Sequence, residues 1–405
     1  NIGVRYVGTT VETDALVAFP DPAQFDDPII ENGVQIGGGN GDGVVQPSEI
    51  TGSCPAVDPN VPGGYAPQVL YCQLSGARLA EYASLFTGEV IRDNRDITFD
   101  HWLPALNLRL DSGTGVVIRG AVSKGISRPD LNRFSAGGVF GFSGRVDDGP
   151  LLSLSTGNRN ILPTESWNYD LSVEWYFDRV GSLTGAVFLK DITGIETTGT
   201  GLVTFPTAAG GSQDVIITGP ANDLSGKLKG FEIAYQQTYD FLPGLLSGFG
   251  SQLTYTYLDG GDFSNPDISG IGSPSVAAAF RPLNGGPFVG DQPLRGISEH
   301  TINATLFYEK GPFAARAAYN WRSEFLLTPR DDIFPFSPIF QESTGQLDAS
   351  IFYDVTEFLK LGVQGVNLLD EVTKTSQVID FDGTRVTRSA FRNDRRYTFI
   401  ARFKF

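Results

Sequence analysis

The stretch Trp167-Asn168-Tyr169-Asp170-Leu171-Ser172-Val173-Glu174-Trp175-Tyr176-Phe177 decides the fold. Trp167, Tyr169, Leu171, Val173, Trp175 and Phe177 are apolar or aromatic. Asn168, Asp170, Ser172 and Glu174 between them are polar, and only Tyr176 departs from the pattern. Successive side chains of a strand point to opposite faces, so this segment is a strand with one oily and one wet side. Working outward, the pattern recurs at Phe313, Ala315, Ala317, Tyr319 and Trp321, set against Arg316, Asn320 and Arg322. It recurs at the end of the chain, where Tyr397, Phe399, Ala401, Phe403 and Phe405 alternate with Thr398, Ile400, Arg402 and Lys404. About twelve segments follow this rule, near 1–13, 100–110, 115–126, 165–177, 182–195, 227–240, 248–259, 298–309, 313–325, 346–354, 359–368 and 395–405. One short helix is predicted at 75–87, with Ser75 as N-cap and Gly88 just past its end.

The connections alternate between short and long. Asp111–Thr114, Asp178–Gly181, Lys310–Pro312, Val355–Phe358 and Phe241–Ser247 are short; 14–99, 127–164, 196–226, 260–297, 326–345 and 369–394 are long. Compact soluble domains seldom carry so many long loops, whereas an outer-membrane barrel has tight turns on one side and long loops on the other. Trp102, Trp167, Trp175, Tyr308 and Trp321 lie near strand ends, as interfacial aromatic girdles do. The reading is therefore all-β: an antiparallel transmembrane β-barrel with short periplasmic turns and long extracellular loops. Strand alternation without a fixed repeat length argues against a propeller.

The 405 residues carry 30 Lys and Arg against 46 Asp and Glu, a net charge of −16. Such acidity argues against nucleic acid as a partner. Two His and two Cys argue against a zinc cluster, and Ser298-Glu299-His300 is sequence adjacency rather than a hydrolase triad, so no catalytic activity is expected. The chain has no Met and begins inside a strand without a signal peptide, so it reads as a piece of something longer.

Loop 14–99 holds twelve carboxylates against three arginines, over half of the net charge. Its bland reading is a solvated surface; its functional reading is cation binding or steering of a cationic ligand. Cys54 and Cys72 lie in this loop, in an oxidising setting if it faces outside the cell, and are expected to form a disulfide. Gly38 to Glu49 can also be read as a 12-residue calcium loop, with Asn40, Asp42, Val44 and Glu49 as ligands and Gly43 at the sharp turn. Against it, Gly38 brings no carboxylate and Pro47-Ser48 replaces an exiting helix; Asp26, Asp27 or Glu31 would supply the missing anion. The competing reading is a metal-free Asx-turn loop. Calcium is the one cofactor the sequence raises.

Ser123-Lys124-Gly125-Ile126-Ser127-Arg128-Pro129-Asp130-Leu131 resembles a strand end of the TonB-dependent receptors. Asn158–Glu165 followed by Ser166-Trp167-Asn168-Tyr169-Asp170 is similar to another of their elements. So are Gly230-Phe231-Glu232, Asp240–Gly244, Phe307–Pro312, Tyr319-Asn320-Trp321-Arg322 and Val366–Asp370, in family order along nearly the whole chain. A terminal Phe405 resembles the assembly signal read by the outer-membrane assembly machinery. Arg159 and the spacing of Ile161-Leu162-Pro163 depart from the family pattern. The resemblance implies a roughly 22-stranded plugged barrel in the bacterial outer membrane. Residues 1–405 would be its C-terminal portion, with the plug outside this chain. It also implies active uptake driven by the TonB complex, with an oligosaccharide, peptide, siderophore or cobalamin as ligand and with lipid and lipopolysaccharide as surroundings. A passive porin-like or structural barrel is the alternative. The acidic loop suits an anionic ferric chelate poorly and leans toward carbohydrate or peptide.

Overall fold

The computed structural model describes residues 1–54, 70–92, 94–145, 148–158, 160–207, 210–261, 293–328, 338–380 and 383–404. Twelve strands carry the architecture: β1 (Ile2–Thr13), β2 (Arg95–Asp111), β3 (Val116–Ser127), β4 (Thr164–Tyr176), β5 (Ser182–Pro206), β6 (Ser212–Thr238), β7 (Phe249–Asp259), β8 (His300–Lys310), β9 (Phe313–Arg322), β10 (Thr344–Thr356), β11 (Leu359–Val366) and β12 (Arg396–Phe403). They pair in that order into one sheet with β1 and β12 at its edges. Every neighbouring pair on this path is antiparallel. Each of the twelve predicted segments carries one of these strands. Among the described residues no helix is long and apolar enough to cross a membrane.

Register fixes the two faces. Leu171 lies opposite Gly120 and Val187, and Val173 opposite Ile118 and Gly185. Ile351 faces Val363, which faces Phe399. Apolar side chains thus continue in rows from strand to strand, and they are bare: Leu171 is 51% exposed, Ile351 52% and Phe399 82%. An apolar face of this breadth needs hydrocarbon rather than water against it. Tyr6 packs on Trp102 with ring centroids 4.9 Å apart, at one end of this band. The opposite face is polar. Gln236, Gln252 and Thr305 lie across from one another, as do Asn303, Asn320 and Gln346. Asp170, Arg316 and Arg402 fall on this lumen face too. Gly362 has room for no side chain, because the Phe352 ring occupies the place of its Cβ.

The long loops depart from the expectation of structureless connections. Strands β5 and β6 run 25 and 27 residues, well past the predicted 182–195 and 227–240. Register shifts at Ile192, Ile195 and Thr197 mark where their ladder leaves the barrel wall. Past that point no hydrocarbon enforces the alternation, so the sequence pattern fades while the hydrogen bonding continues. The described residues of 14–92 fold into a cap with three helices, α1 (Ala23–Asp26), α2 (Pro47–Gly52) and α3 (Gly76–Ala83). Helix α3 lies within the predicted 75–87; Ser75 is its N-cap but makes no side-chain capping bond. Leu16–Ala18 pairs antiparallel with Val90–Arg92 and parallel with Gly138–Val139. Leu152–Ser155 runs parallel to Val215–Thr218 of β6. The three long loops therefore share one core, built on Phe19, Ile50, Tyr82, Leu152 and Val215. A second outer sheet joins Phe325–Thr328, Ile339–Gln341, Val372–Val378 and Arg385–Arg392.

Candidate functional site: lumen wall and cap

The lumen wall from β6 to β12 is rich in amides and hydroxyls, with Gln236, Gln252, Thr254, Asn303, Asn320 and Gln364 on one face. These groups donate and accept hydrogen bonds without carrying charge, which suits the passage of a hydrated polar solute. Toward the short turns the wall becomes ionic. Arg119 donates from Nε and Nη2 to the two oxygens of Glu174 at 2.7 and 3.3 Å. Tyr176 donates to the same carboxylate at 3.0 Å.

Above the wall, the segment similar to the family element ties the second loop to the hairpin of β5 and β6. The Asn222 amide behaves like a strand partner: its oxygen accepts from Leu162 N at 2.6 Å, and its nitrogen donates to Leu162 O and Gly194 O, each at 2.9 Å. Asn158 Nδ2 donates to Pro220 O at 2.9 Å. Ile161, fully buried, packs with Phe99 and Phe134. Arg159 and Phe405, singled out in the sequence, lie outside the described residues.

The 38–49 loop is a tightly bonded turn. Asn40 Oδ1 accepts from Asp42 N at 2.9 Å, and Asp42 Oδ1 accepts from Val44 N at 2.8 Å. The Glu49 carboxylate accepts from Asn40 N at 3.0 Å and from Gln46 N at 2.7 Å. Asp26, only 3% exposed, reaches in from upstream and accepts from Gly41 N at 2.9 Å and Gly43 N at 2.6 Å. Gly43 holds the positive φ of 84° that the turn requires. The expected loss of an exiting helix is corrected here: α2 starts at Pro47, behind a capping box of Gln46 and Glu49. Proline suits that place because its missing N–H is one the first turn leaves unpaired anyway. Asn40, Asp42 and Glu49 thus converge, while the Val44 side chain points to solvent. Their oxygens serve backbone N–H groups. Among the described residues no group of three or more His, Cys, Asp or Glu side chains is disposed to hold a metal ion.

Cys54 and Cys72 form the expected disulfide, with Cα atoms 5.8 Å apart. It joins the end of α2 to the short turn before α3. Burial among aromatic neighbours pushes the Tyr82 phenol of α3 up. The two histidines have separate partners. His101 Nδ1 meets Glu165 at 2.8 Å, with Lys124 on the other carboxylate oxygen at 2.7 Å. His300 Nδ1 meets Tyr255 Oη at 2.8 Å, while Ser298 bonds Ser323 O and Arg322 instead. The cap leaves only a faint local signal in the sequence: apolar residues such as Phe19, Phe25, Ile50 and Phe86 are dense within an otherwise acidic loop.

Comparison with known proteins places this geometry. The model of the TonB dependent receptor-like β-barrel matches residues 74–368, most of the chain, and the protein belongs to that family. An enterobactin-bound variant of the ferric enterobactin receptor PfeA of Pseudomonas aeruginosa is similar in structure: 15% identity, TM-score 0.50, over 76% of this chain and 42% of that one. The ferric yersiniabactin uptake receptor FyuA of Yersinia pestis aligns at 14% identity and TM-score 0.46, over 78% of this chain and 40% of that one. The chain thus spans about two-fifths of the length of these receptors, and at such identities the likeness concerns the fold alone. No curated protein matches the sequence.

Proposed function

We propose that this chain is the C-terminal part of an outer-membrane transporter that takes up a bulky polar nutrient, of the oligosaccharide or peptide class, with energy from the TonB complex. The observation that carries this reading is the two-faced twelve-stranded sheet, apolar on one side and lined with amides and hydroxyls on the other. Strands β1 and β12 leave edge N–H and C=O groups beside the apolar face, where Ile2 and Phe399 are bare. Unpaired peptide groups in hydrocarbon cost several kcal/mol each, so further strands must cover both edges. A plug inside the completed barrel supplies the TonB contact. The lumen wall carries charges of both signs among its amides and hydroxyls, such as Asp170, Arg316 and Arg402, so the acidic cap is what favours a neutral or cationic solute over an anionic ferric chelate.

The test is accumulation of labelled solutes by cells expressing the complete protein, with and without TonB. The solutes are a maltooligosaccharide series, a lysine-containing tetrapeptide and a ferric catecholate. TonB-dependent accumulation of either of the first two is expected. Passage of all three without TonB would make the protein a passive pore, and accumulation of the catecholate alone would overturn the solute class.

A further inference from the structure

Between Arg5 and Arg78 the sequence holds nine carboxylates and not one Lys, Arg or His. The middle of this stretch forms a hairpin, Pro28–Glu31 against Val34–Gly38. Asn32 and Gly33 turn it, with φ of 52° and 80°. Both values fit the two-residue turn that matches strand twist. The two strands pair only with each other among the described residues.

This hairpin presents its apolar side chains to water. Ile29, Ile30, Val34 and Ile36 are 58, 63, 63 and 61% exposed. Ile30 lies opposite Gln35 and Val34 opposite Glu31, so the apolar groups project from both faces. The base, by contrast, is clamped. Gln35 Nε2 donates to Gly39 O at 2.6 Å, and a Cβ at Gly39 would overlap the Asp26 backbone. The fixed base holds the free tip in one orientation. Asp27, Glu31 and Asp42 are exposed around it.

We propose that this hairpin is a docking ribbon for an extended cationic peptide segment, which adds to it as a third strand. A two-stranded ribbon is marginal alone, and a third strand supplies main-chain hydrogen bonds along an open edge. Alternate residues of the incoming strand meet Ile30 or Val34, according to the face. Its cationic side chains meet Asp27, Glu31 and Asp42, within a field that no cation between Arg5 and Arg78 offsets. The same carboxylates repel phosphate-bearing lipid headgroups, so the ribbon is not a finger for the membrane surface. The inference rests on the uptake reading only for the fate of the peptide.

The experiment uses the purified complete protein in detergent and a fluorescent acetylated octapeptide of alternating Lys and Val, followed by anisotropy. Saturable binding is expected, weakened at least tenfold by the double variant Ile30→Ser with Val34→Ser and weakened by salt. An alternating Lys-Ser octapeptide should bind at least tenfold more weakly than Lys-Val. Equal binding of the two peptides, or no effect of the double variant on Lys-Val, would reduce the contact to bulk charge and overturn the proposal. Self-association lost in the double variant, without peptide binding, would assign the ribbon to a second copy of the chain and overturn it equally. Proteinase K resistance of the cap shows that the variant has folded. Hairpin-dependent binding without TonB-dependent accumulation in cells would sink the transport reading and leave the docking ribbon standing.

Discussion

The barrel wall and the cap bury their apolar residues in opposite directions. In the wall, Leu171, Ile351 and Phe399 point outward and stay half-exposed or more. In the cap, Phe19, Ile50, Leu151 and Leu152 are wholly enclosed. Water drives the second arrangement, because burying apolar area there removes it from solvent. In a bilayer that force is absent between strands, and the hydrogen-bonded ladder holds the wall instead. One polypeptide thus carries two kinds of stability, and each should fail to a different perturbation.

Phe19→Ala should have the largest effect, about 3–5 kcal/mol, because it empties the centre of the cap core. Limited proteolysis should then cut residues 14–92 while the wall keeps its heat-modifiable mobility; joint loss of both would show that cap and wall fold as one unit. Breaking the Cys54–Cys72 bond by Cys54→Ser should remove roughly 3 kcal/mol from the cap, by freeing the loop it closes. Thiol labelling of unreduced, denatured wild-type protein should modify neither cysteine, and full labelling of both would rule the bond out. Leu171→Arg reverses the comparison: it should cost the wall ~2–4 kcal/mol by placing charge in hydrocarbon and leave cap proteolysis unchanged. Ser172→Arg, one residue along and facing the lumen, should cost far less. A similar penalty at both positions would refute the face assignment.

Asp26→Ala should be milder, about 1–3 kcal/mol, since the Gly43 N–H loses its acceptor and the Gly41 N–H keeps only the Asp26 backbone carbonyl. Hydrogen exchange at Gly41 and Gly43 should rise. Calcium-dependent protection of residues 38–49 in the wild type would show that the turn binds a cation as well as its own backbone. The smallest effect belongs to the short turn at Asp178. The Arg179 N–H, then the Gln237 amide, hold this carboxyl below its usual range. Its folded form is thus favoured above the ordinary aspartate value near 4, and the contribution fades as pH falls through the lowered one. Asp178→Asn should abolish that acid-side dependence of exchange in the turn and leave the cap unaffected.

The alternation around Trp167–Phe177 was enough to place all twelve wall strands, because hydrocarbon on one face and water on the other impose a period of two on the residues themselves. The Cys54–Cys72 pairing was legible for a simpler reason: the only two cysteines of the sequence have a single intramolecular partner. The cap was not legible. Its core draws Val17 and Phe19 from the first loop, Leu152 from the second and Val215 from a hairpin, and two of its strand pairings are parallel. Contacts so distant in sequence leave no local period. The same holds for Asp26, which from sequence was one of three acids near a glycine turn and in three dimensions alone accepts the N–H groups of Gly41 and Gly43. Local sequence determined each strand, its faces and its family, since the solvent on either side acts residue by residue; only the tertiary structure decided how three loops close over one another, since that depends on which apolar surfaces meet.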